Sequence, residues 1–149
     1  MRPEHGFVQA RPVDVRWGDQ DPNRHVNNTA ICQYVEEARV NLRERCFSQE
    51  VRRAPVAFVV ASFHIRFLRP ITFPGEVRTG TVVTRLGRTS YTLVHGAFFN
   101  AAIAALGRTV TVVCDRETGA PTAIPAAIRQ ELMRLKTDLR SVVDAAEAI

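Results

Sequence analysis

Apolar and polar positions change rhythm along this chain, and each change marks an element. Between about Asn28 and Phe47, Ile31, Val35, Ala38, Leu42 and Cys46 recur at three- and four-residue steps. That spacing puts them on one face of a helix. Glu36, Glu37, Arg39, Arg43 and Glu44 cover the rest, and Asn27 or Asn28 suits the N-cap. From Val56 to Leu68 the period becomes two: Val59, Ala61, Phe63, Ile65 and Phe67 form an apolar face, opposite Ser62, His64 and Arg66. After Arg69-Pro70 and a turn at Pro74-Gly75, three more strands are predicted at Glu76–Leu86, Ser90–Phe99 and Ile103–Cys114. Gly87-Arg88 and Asn100-Ala101 read as their tight connections, which makes an antiparallel meander. A loop then leads to Pro125, which opens a second helix. Its apolar stripe is Ile128, Leu132, Leu135, Leu139 and Val142. A shorter strand, Val13 to Trp17, precedes the first helix.

Strand, polar loop, helix, four strands, helix is the order of an α+β domain with the sheet on one side of its helix. The first helix is only moderately polar on its outer face, so a curved sheet wrapping it is open as an alternative to a flat one. A chain of 149 residues is one domain by length, residues 1–149, and buries a core without staples.

Composition narrows the partners. No apolar run approaches the ~20 residues of a membrane span, and Met1-Arg2-Pro3-Glu4-His5 has no apolar stretch of a secretory signal. A cytoplasmic protein that does not enter membranes is expected. The net charge is +5, and Lys136 is the only lysine. Arginine's planar fork suits phosphate, so an anionic partner fits. The basic residues are scattered rather than clustered with aromatics, which argues against nucleic acid. Cys32, Cys46 and Cys114 are far apart and odd in number, so reduced, mostly buried thiols are expected rather than a disulfide framework.

Asp19-Gln20-Asp21-Pro22-Asn23-Arg24-His25-Val26-Asn27 carries the candidate chemistry. It lies at a strand-to-helix junction, where the positive end of a helix holds an oxyanion or phosphate. A turn rich in Asp, Asn and Pro is the plainer reading. Asp19-x-Asp21-x-Asn23 opens like a calcium loop, but the sixth position is Arg24 and the twelfth Ala30, where Gly and Glu are needed. His5, His25, His64 and His95 show no metal-ligand spacing, and no metal or cofactor is implied. His64 and His95 fall in strands and read as structural. Asp19 and Asp21 are too close in sequence to be a glycosidase pair by spacing.

Val15 through Asn28, followed by Tyr34-Val35-Glu36-Glu37-Ala38-Arg39, resembles the hotdog-fold acyl-CoA thioesterases, in particular the 4-hydroxybenzoyl-CoA thioesterase-like group. Phe67-Leu68-Arg69-Pro70, Gly75-Glu76-Val77, Leu86-Gly87-Arg88-Thr89-Ser90 and Ala120-Pro121 extend the resemblance over most of the chain. It implies a curved antiparallel five-stranded sheet around the central helix, plus the C-terminal helix. It also implies a homodimer or dimer of dimers paired edge to edge, with the site at the interface. Asp21 would be the reacting carboxylate, and the N–H at or near Asn28 would polarise the thioester carbonyl. His25 would orient water or thioester, or else brace the loop; Asn23 would orient water, and Asn27 would cap. Asp19 is assigned to structure, facing Arg16 or loop amides. Glu37 and Arg39 read as an ion pair, with Glu37 the reserve carboxylate. Arg66, Arg69 and Arg88 would meet the anionic end of CoA. The substrate would be acyl-CoA, or a thioester on acyl-carrier protein. A hotdog enoyl-thioester hydratase and a non-catalytic acyl-CoA-binding protein are the alternatives.

Overall fold

A computed structural model describes residues 6–9, 11–138 and 140. In chain order the elements are β1 (Val8–Gln9), β2 (Val13–Asp14), a 3₁₀ turn (Trp17–Asp19), α1 (Asn28–Cys46), α2 (Gln49–Arg52), β3 (Val56–Phe67), β4 (Glu76–Leu86), β5 (Ser90–Phe99), β6 (Ala102–Asp115) and α3 (Ala126–Arg134). The antiparallel sheet runs β1-β4-β5-β6-β3, and β2 also pairs with β4. β1 pairs at Gly80 and Thr81, and β2 at Glu76 and Val77. The fifth strand of the expected sheet is thus split in two along one edge of β4. Pro12, with no N–H to give a ladder, lies between the pieces, and Val13–Trp17 shortens to Val13–Asp14.

The curled sheet packs on α1, the hotdog arrangement. Ala30, Ile31, Tyr34, Val35, Ala38 and Leu42 of α1 are buried. The first half of the helix meets Val77, Ala97, Ala104 and Ala105; the second half meets Val83, Tyr91, Leu93 and Val113. Gly107 permits the close approach at mid-sheet: a Cβ there would lie 3.3 Å from the Phe63 ring and 3.6 Å from Val35. α3 closes the far end with Ile128 and Leu132, both fully buried. Leu139 and Val142 lie outside the described residues. Both hairpins form where expected. Asn100 and Ala101 have φ of 50° and 60°, the paired left-handed geometry of a two-residue hairpin turn.

β3 corrects the reading of its faces. Its register on β6 slips between Val60 and Ser62, so Ala61 is a bulge residue, and a bulge reverses which side each later residue faces. Before it, Val56 is buried and Phe58 packs against Phe47 and Tyr91. After it, Phe63 and Ile65 face α1 instead. The predicted continuous stripe is therefore two stripes of opposite parity. β3 is also an edge strand, and Val59, Val60, Phe63 and Phe67 on it are 39–48% exposed.

Candidate active site

The polar segment folds into a hairpin of its own. Asn27 N–H donates to the Asp19 carbonyl at 2.7 Å, Asp21 N–H to the His25 carbonyl at 2.7 Å and Arg24 N–H to the Asp21 carbonyl at 3.0 Å. Val26 N–H reaches the Ile71 carbonyl at 2.8 Å and fixes the hairpin to the segment after β3. Arg24 occupies the tip with φ of +61°, a left-handed conformation that costs a side-chain-bearing residue roughly 1–2 kcal/mol.

Asp19 anchors this hairpin to α1. Its buried carboxylate accepts from the Tyr34 hydroxyl at 2.5 Å and the Arg16 N–H at 3.0 Å, and it pairs with the Arg16 guanidinium at 3.2 Å. Burial alone would raise its pKa; the hydrogen bonds from Tyr34 and Arg16, with the Arg16 charge, bring it below the usual carboxylate range. Burial and the same carboxylate hold the Tyr34 phenol far above its ordinary value. Asp19 is the structural acid of the pair, as the sequence suggested.

Asp21 is placed differently. It is half-buried, and its Oδ1 accepts from Asn23 N–H at 2.8 Å and His25 N–H at 3.3 Å. Its Oδ2 has no protein donor among the described residues. Asn23 and His25 thus hold Asp21 through their main chains; both side chains are exposed and bond to no protein group among the described residues. At the foot of α1, Asn27 is the N-cap: its Oδ1 accepts from Thr29 N–H at 2.9 Å, and its carbonyl takes Ile31 N–H. Among the described residues the N–H groups of Asn28 and Ala30 have no acceptor at that terminus.

One hollow is lined by the polar hairpin and another by α1. Trp17, Gly18, Gln20, Asp21, Arg24 and Phe73 line an open depression of ≈ 550 Å³. A groove of ≈ 360 Å³ starts at Thr29 and runs between α1 and β3, past Cys32, Val35, Arg39, Val60, Phe63 and Thr109. Asp21 lines the depression and not the groove. Sequence reasoning missed Trp17, Phe73 and Arg24; the exposure of Trp17, 75%, has no signature in the pattern of residues around it.

The three arginines assigned to CoA do not converge within one chain. Arg66 and Arg69 sit at the Ala104–Ala105 end of the sheet, the end that holds the hairpin. Arg88 sits at the opposite end, where Thr89 meets Val113, about 25 Å away along the strands. The expected Glu37–Arg39 pairing also fails: Arg39 bonds Glu36 at 2.9 Å, three residues back, and Glu37 is exposed on the outer face.

The model of one family, the thioesterase-like superfamily, matches residues 15–132, from the strand before the hairpin into α3. The chain belongs to that superfamily. Among solved structures, a thioesterase from Thermus thermophilus, complexed with coenzyme A and zinc, is 36% identical. The match covers 89% of this chain and 96% of that one, with a TM-score of 0.76. The PA2801 protein from Pseudomonas aeruginosa is 30% identical over 83% of this chain and 97% of that one, TM-score 0.73. The PA5185 protein from Pseudomonas aeruginosa is 26% identical over 90% and 95%, TM-score 0.78. No curated protein matches. Thioester hydrolysis is the general chemistry this kinship supports.

The other histidines and the cysteines of this thioesterase-like chain differ in their access to solvent. His95 is fully buried, with Nδ1 2.9 Å from the Thr81 hydroxyl and Nε2 2.9 Å from that of Thr109. Burial, with the Arg39 charge behind it, pushes its pKa down to about 3, so it is neutral and structural. His64, expected to be the same, is exposed on β3 instead. Cys114 is buried, and Cys32 and Cys46 are half-buried. Burial pushes the Cys32 thiol up, away from nucleophilic thiolate. Among the described residues no group of three or more His, Cys, Asp or Glu could hold a metal, and no helix is long and apolar enough to cross a membrane.

Proposed function

We propose that this protein hydrolyses an acyl-CoA thioester, with Asp21 as the reacting carboxylate. The observation that carries the reading is Asp21 itself: one oxygen is pinned by two N–H groups, and the other, with no protein donor among the described residues, lies at an open depression walled by Trp17, Arg24 and Phe73. The thioester would lie over the α1 terminus, its acyl chain in the apolar groove and its CoA half over the depression. The Asn28 N–H would stabilise the oxyanion as the carbonyl is attacked. Thiolate is a good leaving group, because a thiol pKa is only about 8.5, so little acid assistance is needed. In one route Asp21 accepts a proton from water while the water oxygen bonds to the acyl carbon, and the C–S bond then breaks. In the other Asp21 bonds to the acyl carbon, thiolate leaves, and water hydrolyses the anhydride. Asn23 and His25, exposed beside Asp21, would orient the water.

Two copies would pair through β3. No strand among the described residues pairs with its outer edge, and Val59, Val60, Phe63 and Phe67 along it are exposed, a surface that favours association. Antiparallel pairing of two β3 strands reverses one sheet against the other. It therefore brings the partner subunit's Arg88 to the end that holds Asp21, Arg66 and Arg69. That would restore the CoA contacts which a single chain separates.

The test is thiol release from a panel of acyl-CoA and acyl-carrier-protein thioesters by wild type and Asp21→Ala. Wild-type turnover with a well-folded, inactive variant is expected; unchanged turnover in that variant would overturn the assignment. Enoyl-CoA hydration, run beside it, covers the hydratase alternative. That alternative lacks support in the geometry, since His25 and Asp21 share one hairpin rather than facing each other across a cleft. Tight acyl-CoA binding with no thiol release would point to a binding protein.

A further inference from the structure

Arg24 is a strained residue in a place that would suit glycine. Its φ of +61° is one glycine adopts freely. A side chain kept at such a position, against local strain, is a reason to look for what it does. It makes no ion pair or side-chain hydrogen bond to the protein among the described residues. Asp21 is three residues away, yet the two side chains do not pair. Arg24 instead lines the Asp21 depression, together with the exposed Trp17 and Phe73. An unpaired cation on an open, aromatic-walled rim beside the candidate carboxylate suits an anionic ligand that passes over it.

We propose that Arg24 is a specificity-determining residue that binds a phosphate of the substrate's CoA half as it lies across the depression. The inference rests on the thioesterase reading above. The acyl half has the separate groove between α1 and β3, which begins at Thr29. The depression is thereby left to the half of the thioester that carries phosphate. Of the arginines, Arg24 is the one that lines the depression with Asp21.

Arg24→Gly and Arg24→Lys are compared with wild type on an acyl-CoA and on the matching acyl-pantetheine, which keeps the thioester and lacks every phosphate. For acyl-CoA, Arg24→Gly is expected to raise KM about ten-fold with kcat little changed, the loss of one charge-assisted hydrogen bond. Arg24→Lys should recover part of this, and the wild-type advantage should shrink as salt rises. For acyl-pantetheine all three proteins should have the same KM. Thermal unfolding of Arg24→Gly should move up by about 1–3 °C, since the strain is relieved. An equal KM change on both substrates, or a fall in Tm, would make Arg24 an acyl contact or a loop brace and overturn the proposal. A wild type that hydrolyses neither thioester removes the thioesterase reading instead; hydrolysis of both with no Arg24 effect removes this inference alone.

Discussion

Two polar clusters of this protein lie against the same helix and end in opposite states. Under α1, Thr81, His95 and Thr109 form a closed row: both ring nitrogens are bonded, the imidazole is fully buried, and burial holds it neutral. At the N-terminal foot of α1, Asp19 is just as closed by Tyr34 and Arg16, but two residues on Asp21 keeps an oxygen free. A strongly displaced pKa and a closed set of partners go together at His95. Perturbation points to function only where solvent or substrate can reach the group.

The widest separation between the clusters should come from deleting the open carboxylate. Asp21→Asn should lower kcat for thioester hydrolysis by roughly 10²–10⁴-fold, while circular dichroism and Tm stay near wild type. The opposite profile is expected for the closed row. His95→Leu leaves two buried threonine hydroxyls unpaired and should cost about 2–4 kcal/mol of unfolding free energy in urea, with KM little altered. Tyr34→Phe falls between them. It removes the phenol from the buried Asp19 charge and should cost about 2 kcal/mol. It should also lower activity, because Asp19 ties the hairpin to α1. A stable Tyr34→Phe with full activity would show that Arg16 alone secures that hairpin.

The smallest effect is in pH. His95, at about 3 in the folded protein, stays neutral while the unfolded chain takes up a proton below about 6.5. Stability should therefore decline as pH falls from about 6.5, by at most about 1.4 kcal/mol per unit. Asp19 has a lowered pKa, so its contribution is present above the unfolded carboxylate value and is lost only below about pH 4. Urea titrations of wild type and His95→Asn between pH 7 and 5 separate the two, because only wild type should show the slope. Parallel curves would mean that the imidazole is hydrated in the native state.

Legibility of the fold followed the range of the forces. α1, the β4–β5 and β5–β6 hairpins and the start of α3 are set by near neighbours, and their periodicity and turn residues announce them. The Ala61 bulge and the split N-terminal strand are set by pairing with strands far along the chain, and the one-dimensional pattern does not carry that. The site divides in the same way. Asp19, Asp21 and the Asn27 cap belong to one contiguous segment and could be named from it. Their division of labour depends on Tyr34, 15 residues from Asp19. Within one chain β6 is long enough to hold Arg88 apart from Arg66 and Arg69, and no local feature reports a strand's far end.

The bulge also sets how β3 answers a change of length. Ala61 is the extra residue between Val60, opposite Thr111, and Ser62, opposite Val110. Straightening the strand with Ala61 kept would turn Phe63 and Ile65 toward water and His64 and Arg66 toward the helix. Deleting Ala61 would instead even out the ladder and leave Phe63 and Ile65 on the helix side. Among related sequences, a one-residue deletion should therefore be accommodated at this point more readily than elsewhere along the strand.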